Sequence, residues 1–284
     1  FDYEGSNVRG RKTNQDLFKD EYNFSNLTAS LGYVREISEN TSFRTNLGTA
    51  WRSPNMAELY SFGQHGFKSS FGLLRYAAKE GGGITTNGVV KIKESEVESE
   101  RGYKWINELQ INKSKHNHTL TLYSHFIEHY IFDRPFAVIG TIRGPMPVFI
   151  FDQTDAFFVG ADYTWKTTWN EHFSGTIGFS YLWSRNITKN EQLIDQPPLS
   201  ASYDFIWNHG KLWKLTSSRL LVRPSYTFTQ FQSPRKVSPE SLISGEELIN
   251  VDSEIFDFKD APKGYFLLDL LWRFQVKRFS GSIS

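Results

Sequence analysis

The 284-residue chain contains no cysteine, which excludes disulfides and thiolate metal sites and fits a protein of the cell envelope. It has no run of about 18 apolar residues, so a membrane helix is excluded. A membrane barrel stays open, because each of its strands needs only about 10 alternating residues. Charge imbalance is missing too: 32 Lys and Arg against 31 Asp and Glu leave a net charge of +1. A nucleic-acid partner, which requires a basic excess or stripe, is therefore not expected. No Ser/His/Asp or Cys/His constellation with a local signature occurs, so no enzymatic activity is expected. The chain opens at Phe1-Asp2-Tyr3 with neither an initiator methionine nor a leader, and the expectation is that both ends are cut.

Aromatic residues are abundant instead. Phe 24, Tyr 13 and Trp 8 make up 16% of the chain, yet mean hydropathy is only −0.46. A chain this aromatic and this polar suits a sheet with one greasy and one wet face. The stretch 42–66, SFRTNLGTAWRSPNMAELYSFGQHG, shows the pattern best. Phe43, Leu47 and Trp51 fall on one phase and Arg44, Asn46, Gly48, Ala50 and Arg52 on the other, the period of a two-faced strand. Ser53-Pro54 ends it, since proline donates no ladder hydrogen bond and restricts the residue before it.

The same rhythm runs down the chain. Strands are predicted over 22–35, 43–52, 100–111, 119–132, 148–166, 173–185, 199–207, 215–231 and 264–274, with a strand end at 1–4 and a further start near 280. Short connections (36–41, 112–118, 167–172, 208–214) alternate with long ones: 53–99, a loop holding Pro135, Gly144, Pro145 and Pro147, one holding Pro197-Pro198, and one running to 263. Tight turns at one end and long loops at the other are what membrane barrels show. In 173–185 the apolar phase carries Phe173, Ile177, Phe179, Tyr181 and Trp183, against Ser174, Thr176, Gly178, Ser180 and Ser184. Tyr33, Phe43, Trp165, Trp169, Phe173, Trp207, Trp213, Trp272 and Phe274 flank the short connections as one interfacial girdle. Trp51, Tyr130, Trp183 and Tyr226 are placed at the other.

Three motifs carry a family resemblance. A-W-R-S-P-N (50–55) followed at once by M-A-E-L-Y-S-F-G-Q-H-G (56–66) resembles a strand and extracellular loop near the middle of the barrel in TonB-dependent outer-membrane receptors. EVESERGYKWINEL (96–109) resembles that family's acidic strand entry, and DAPKGY (260–265) before FLLD resembles the entry to a late barrel strand. The resemblance implies an all-β fold, a transmembrane antiparallel β-barrel, with about ten strands here out of the family's roughly 22. Residues 1–284 would form part of the barrel, with the plug domain and the barrel ends absent. The implied function is uptake of a scarce, bulky solute, most often a ferric siderophore or haem, across the bacterial outer membrane. The implied partners are outer-membrane lipid, the TonB complex through the plug, and a small iron-complex ligand. No resident cofactor is implied, since a ferric complex, haem or zinc would be cargo. The alternatives are a passive porin-type channel, a zinc-uptake receptor of the same family, and a secreted β-rich adhesin or lectin.

The candidate ligand-binding residues sit where the first full strand pair meets its loop: Arg52, Asn55, Glu58, Tyr60 and His65. By resemblance, His65 between Gly63 and Gly66 matches the loop histidine of haem- and zinc-binding members and is the metal candidate if haem or zinc is the solute. Structural pairing of Arg52 with Glu58, bracing the loop, is the alternative. Glu94, Glu96, Glu98 and Glu100 recur at every second position and read as a solvated rim or a weak cation-attracting stripe. His125-Phe-Ile-Glu128-His129 matches the string of inverted zinc proteases, but on a strand His125 and His129 stand about 14 Å apart and both line the lumen. Gly81-Gly82-Gly83 lacks the Lys-Ser or Lys-Thr of a phosphate loop.

Overall fold

A computed structural model describes residues 2–3, 18–19, 23–66, 68–73, 97–142, 144–211, 214–250 and 254–284. In chain order, β1 (Asp2–Tyr3) pairs with β2 (Phe18–Lys19), and β3 (Ser30–Ser38) and β4 (Thr41–Arg52) begin the main sheet. Next come α1 (Met56–Tyr60), the small hairpin β5 (Phe62–His65) and β6 (Lys68–Phe71), then β7 (Glu100–Lys113), β8 (His116–Thr141), β9 (Gly144–Thr168) and β10 (Phe173–Asn186). After β11 (Ser200–Asn208) and β12 (Ser217–Thr227), a long connection holds β13 (Arg235–Lys236), α2 (Pro239–Ser244) and β14 (Phe256–Asp257). β15 (Tyr265–Val276) and β16 (Phe279–Ile283) complete the order. The main sheet runs β16-β15-β12-β11-β10-β9-β8-β7-β4-β3, an up-and-down antiparallel wall of neighbours, as expected for an arc of barrel.

The register fixes the two faces. Phe179 lies opposite Tyr163 and Ala201, and Ile177 opposite Trp165 and Tyr203. Phe173 stacks on Trp207 with ring centroids 6.0 Å apart. Leu31, Leu47, Trp105, Leu122, Phe179, Tyr226, Phe266 and Leu270 share this phase and are exposed. In water such a band would be untenable, so it is the lipid side of a membrane wall. The opposite face holds polar pairs: Ser180 Oγ donates to Asp162 (2.6 Å), and Arg223 grips Asp204 through Nε (2.5 Å) and Nη2 (2.7 Å).

Three sequence expectations are corrected. The strand expected from 22 begins at Ser30; the Ala29 carbonyl still accepts from the Thr49 N–H (2.8 Å), but the Ala29 N–H bonds the Thr49 hydroxyl (3.0 Å) and Asn26 is held by Ser99 and Arg101, side-chain bonds that stand in for a ladder. The expected loop with Pro135, Gly144, Pro145 and Pro147 is hairpin: β8 and β9 are 26 and 25 residues long, β8 ending at Thr141 and β9 beginning at Gly144. β7 stops pairing with β8 at Glu128 and β10 stops pairing with β9 at Ala156. The prolines thus sit beyond the β7 and β10 ladders, with Pro145 and Pro147 also outside the short β6 pairing at Val148–Ile150, where a missing N–H costs little. Tyr130, assigned to the second girdle, faces the other way. The register slips between Ile127 and Tyr130, with His129 at φ 55°, so Tyr130 pairs with Thr154 and meets Phe158 edge-on (5.6 Å). A β-bulge of one residue re-aims every side chain beyond it. A second slip, between Pro135 and Ala137, restores the original phase. The Gly81-Gly82-Gly83 stretch, Glu94, Glu96 and Trp213 lie outside the described residues.

Candidate functional site

The first turn after β4 is built by local chemistry. Asn55 Oδ1 accepts from the Glu58 N–H (2.9 Å), and Glu58 Oε2 accepts from the Asn55 N–H (2.8 Å). This reciprocal capping box satisfies two orphan donors of α1. Glu58 Oε2 also accepts from Arg52 Nη1 (2.8 Å), while Arg52 reaches Glu100 through Nη2 (2.9 Å) and Nε (2.5 Å). Glu100 in turn accepts from the Ile131 N–H (2.7 Å). Glu58 and Glu100 are each only 8% exposed, so Arg52 holds two buried carboxylates from α1 and β7 together and ties both to β8. Glu100 is therefore a buried ion-pair partner and not part of a solvated rim.

The five candidates fall into three groups. Arg52, Asn55 and Glu58 form one bonded cluster. Tyr60 is buried with Leu59 and Val97 beneath α1. His65 ends β5 in register with Lys68, flanked by Gly63 (φ 122°) and Gly66 (φ 63°). These φ values are the ones glycine tolerates best. Among the described residues no three His, Cys, Asp or Glu side chains come together as a metal-holding group.

Sequence reasoning missed the polar residues of the upper hairpin. Arg134, 4% exposed, donates from Nε to Asp152 (2.7 Å), and Lys68 pairs with Asp133 while lying 4.5 Å over the Phe149 ring. They were hidden by the Pro135 breaker signal. The connections at this end fold onto the hairpin. β6 pairs in parallel with Val148, Phe149 and Ile150 of β9, α2 lies against β8 and β9, and β14 lies against β8. Val148, Ile150, Thr154 and Ala156, alternate residues of upper β9, are buried, as are Leu193, Val237, Ile255 and Phe256 from the connections. Three carboxylates from separate segments, Asp133, Asp195 and Asp257, meet here electrostatically. Burial pushes the Asp133 and Asp257 carboxyls above the usual range; the charge of Asp195 adds to both, and Lys68 opposes the shift at Asp133.

Glutamine side chains close strand edges. Above the last β10–β11 pair, Gln232 Oε1 accepts from the Ser184 N–H (3.3 Å), and Gln232 Nε2 donates to Leu182 O (3.0 Å). Gln153 does the same for Glu98, accepting from its N–H (3.3 Å) and donating to its carbonyl (2.8 Å). Each amide substitutes for a peptide of the missing neighbour strand.

A lipid-faced antiparallel wall with tight turns at one end and folded loops at the other defines an outer-membrane β-barrel. The family model "TonB dependent receptor-like, beta-barrel" matches residues 1–283. The chain belongs to the TonB-dependent receptor β-barrel family, whose members are receptors and transporters of the Gram-negative outer membrane. The passive porin alternative is thereby set aside. Among solved structures, the copper transporter OprC is similar at TM-score 0.62 and 17% identity, covering 88% of this chain and 31% of that one. The ferric enterobactin receptor PfeA of Pseudomonas aeruginosa follows at TM-score 0.58 and 12% identity, covering 89% and 33%. The siderophore receptor PirA of Acinetobacter baumannii gives 0.57 and 12%, covering 89% and 35%. At these identities the likeness is one of fold, and the chain spans about a third of the length of each. No curated protein matches the sequence.

Proposed function

We propose that this wall belongs to a receptor that captures a scarce, bulky solute at the cell surface, a ferric siderophore or haem, and imports it with energy delivered by the TonB complex through a plug domain. The observation that carries the reading is the folded extracellular end. α2, β14 and the β5–β6 hairpin pack onto the upper wall, which suits a receptor mouth better than the open vestibule of a passive pore. No bond is made or broken; capture is followed by plug movement, and no enzymatic step is expected. On this reading Arg52, Asn55, Glu58, Tyr60 and His65 lie on the ligand side, with Arg52 and Glu58 also bracing α1.

The test is saturable binding of ferric siderophores, haem and zinc to the purified receptor, together with uptake in cells with and without TonB. Uptake that survives loss of TonB, or fails to saturate, overturns the reading. His65→Ala then sorts the cargo. For haem or zinc, loss of a coordinate bond lowers affinity at least tenfold, about 1.4 kcal/mol. A ferric siderophore already fills its iron's coordination sphere, so the same change has little effect and loss of Arg52 or Tyr60 matters more.

A further inference from the structure

We infer that the lipid side of the wall carries a seat for one anionic glycerophospholipid of the periplasmic leaflet, at the short-turn end between β8 and β11. The inference rests on the membrane barrel and is independent of the transported solute. Two register rows build it. The row nearest the turns runs Lys113, His116, Thr167, Gly175 and Phe205; the next runs Ile111, His118, Trp165, Ile177 and Tyr203. Gly175 leaves a gap in its row. A Cβ there would lie 2.8 Å from the Trp169 ring, which folds back from the turn. Beside this contact stands a notch of about 320 Å³ lined by Trp165, Thr167, Trp169, Gly175, Ile177 and Tyr203.

Water has no reason to fill an apolar notch on this face, and an acyl chain fits it as the surrounding solvent. The rim supplies the headgroup chemistry. Lys113 and Lys115 are exposed, His116 Nδ1 bonds the Thr167 hydroxyl (3.0 Å), and the Lys115 carbonyl accepts from the Thr168 N–H (2.9 Å) beside Trp169. His118 stacks on Trp165 at 5.7 Å, and the Trp165 indole N–H is buried without an acceptor in the protein. A girdle tryptophan ordinarily finds a polar partner; a lipid ester or phosphate oxygen provides one. Two lysines beside the notch favour a net-negative headgroup over a zwitterionic one.

The experiment is native mass spectrometry of the delipidated receptor titrated with phosphatidylglycerol or phosphatidylcholine of the same chain length. One phosphatidylglycerol should be retained with at least fivefold preference. Ile177→Trp, which fills the notch with an apolar girdle residue, should reduce retention at least fivefold. Lys113→Ser with Lys115→Ser, on the exposed turn, should keep a bound lipid and abolish the headgroup preference, which keeps the test available if Ile177→Trp fails to fold. Equal retention of the two lipids by the unaltered receptor, unchanged retention in Ile177→Trp, or a seat filled by lipopolysaccharide alone overturns the inference.

Discussion

Below Glu128 and above it, the same two strands obey different rules. In the lower part of β8 and β9, each residue is assigned to lipid or lumen by parity, and one side of the wall is bare of protein: Leu122 and Val159 are exposed there. In the upper part, residues of both parities, Ile131, Phe132, Arg134 and Pro135, are buried, because loops cover the hairpin. The lower wall is held by its ladder and by the membrane. The upper hairpin has lost β7 and β10 as ladder partners, keeps only the short parallel pairing with β6 at Val148–Ile150, and depends on ion pairs, amide side chains and a small apolar cluster of Phe71, Val148 and Ile150. Lipid-side order is thus collective, whereas the cap rests on a few individually important contacts.

The strongest way to break this contrast is in the wall. Phe179→Arg places a cation in hydrocarbon and should destabilise by about 2–4 kcal/mol, whereas Ser180→Arg, facing Asp162, should be tolerated. Refolding into lipid vesicles measures both, and equal penalties would erase the distinction between the two faces. In the cap, Arg52→Ala leaves the buried Glu58 and Glu100 without their cation, a loss of about 1–3 kcal/mol. Amide exchange across α1 should accelerate while exchange in lower β8 stays unchanged; a uniform change along both would merge the two regions. Gln232→Ala should cost about 1 kcal/mol and show as faster exchange at the Ser184 amide.

The smallest effect is a pH dependence confined to the cap. Because the Asp257 carboxyl is raised by burial, the folded cap binds that proton more tightly than the unfolded chain does. Cap stability therefore rises as pH falls through the raised value toward the ordinary carboxylate range, and declines as pH climbs above it. Asp257→Asn should slow exchange at the Lys259 amide, which donates to Asp257 (3.1 Å), at neutral pH. The advantage should vanish in acid, where the native carboxyl is already protonated. A benefit of equal size at both pH values would refute the burial explanation.

The sequence made the wall legible because membrane and lumen impose period two on every strand: 173–185 and 43–52 were read in the correct phase. The cap was not legible by the same means. Pro135, Pro145 and Pro147 are breaker signals in a paired strand and harmless on one with an open edge, a fact that depends on where neighbours end. His129 carries no mark in sequence of its φ 55°. At the candidate site, the pairing of Arg52 with Glu58 and the Asn55 cap follow from close spacing. Glu100, 48 residues from Arg52, was invisible as a partner because only the β4–β7 register brings it there.

The paired slips at His129 and Phe136 behave like compensating frameshifts written in space. The first displaces the inside-outside reading of β8 by one residue, and the second returns it, so that only 130–135 is read in the other frame. Within that frame Asp133 lies on one face beside Lys68 and Arg134 on the other beside Asp152. The hairpin should consequently accept length changes between these points only in even numbers. A single deletion before Asp133 would turn Asp133 away from Lys68 and Arg134 away from Asp152 and carry the shift on toward the tip, leaving the membrane wall below in its original frame.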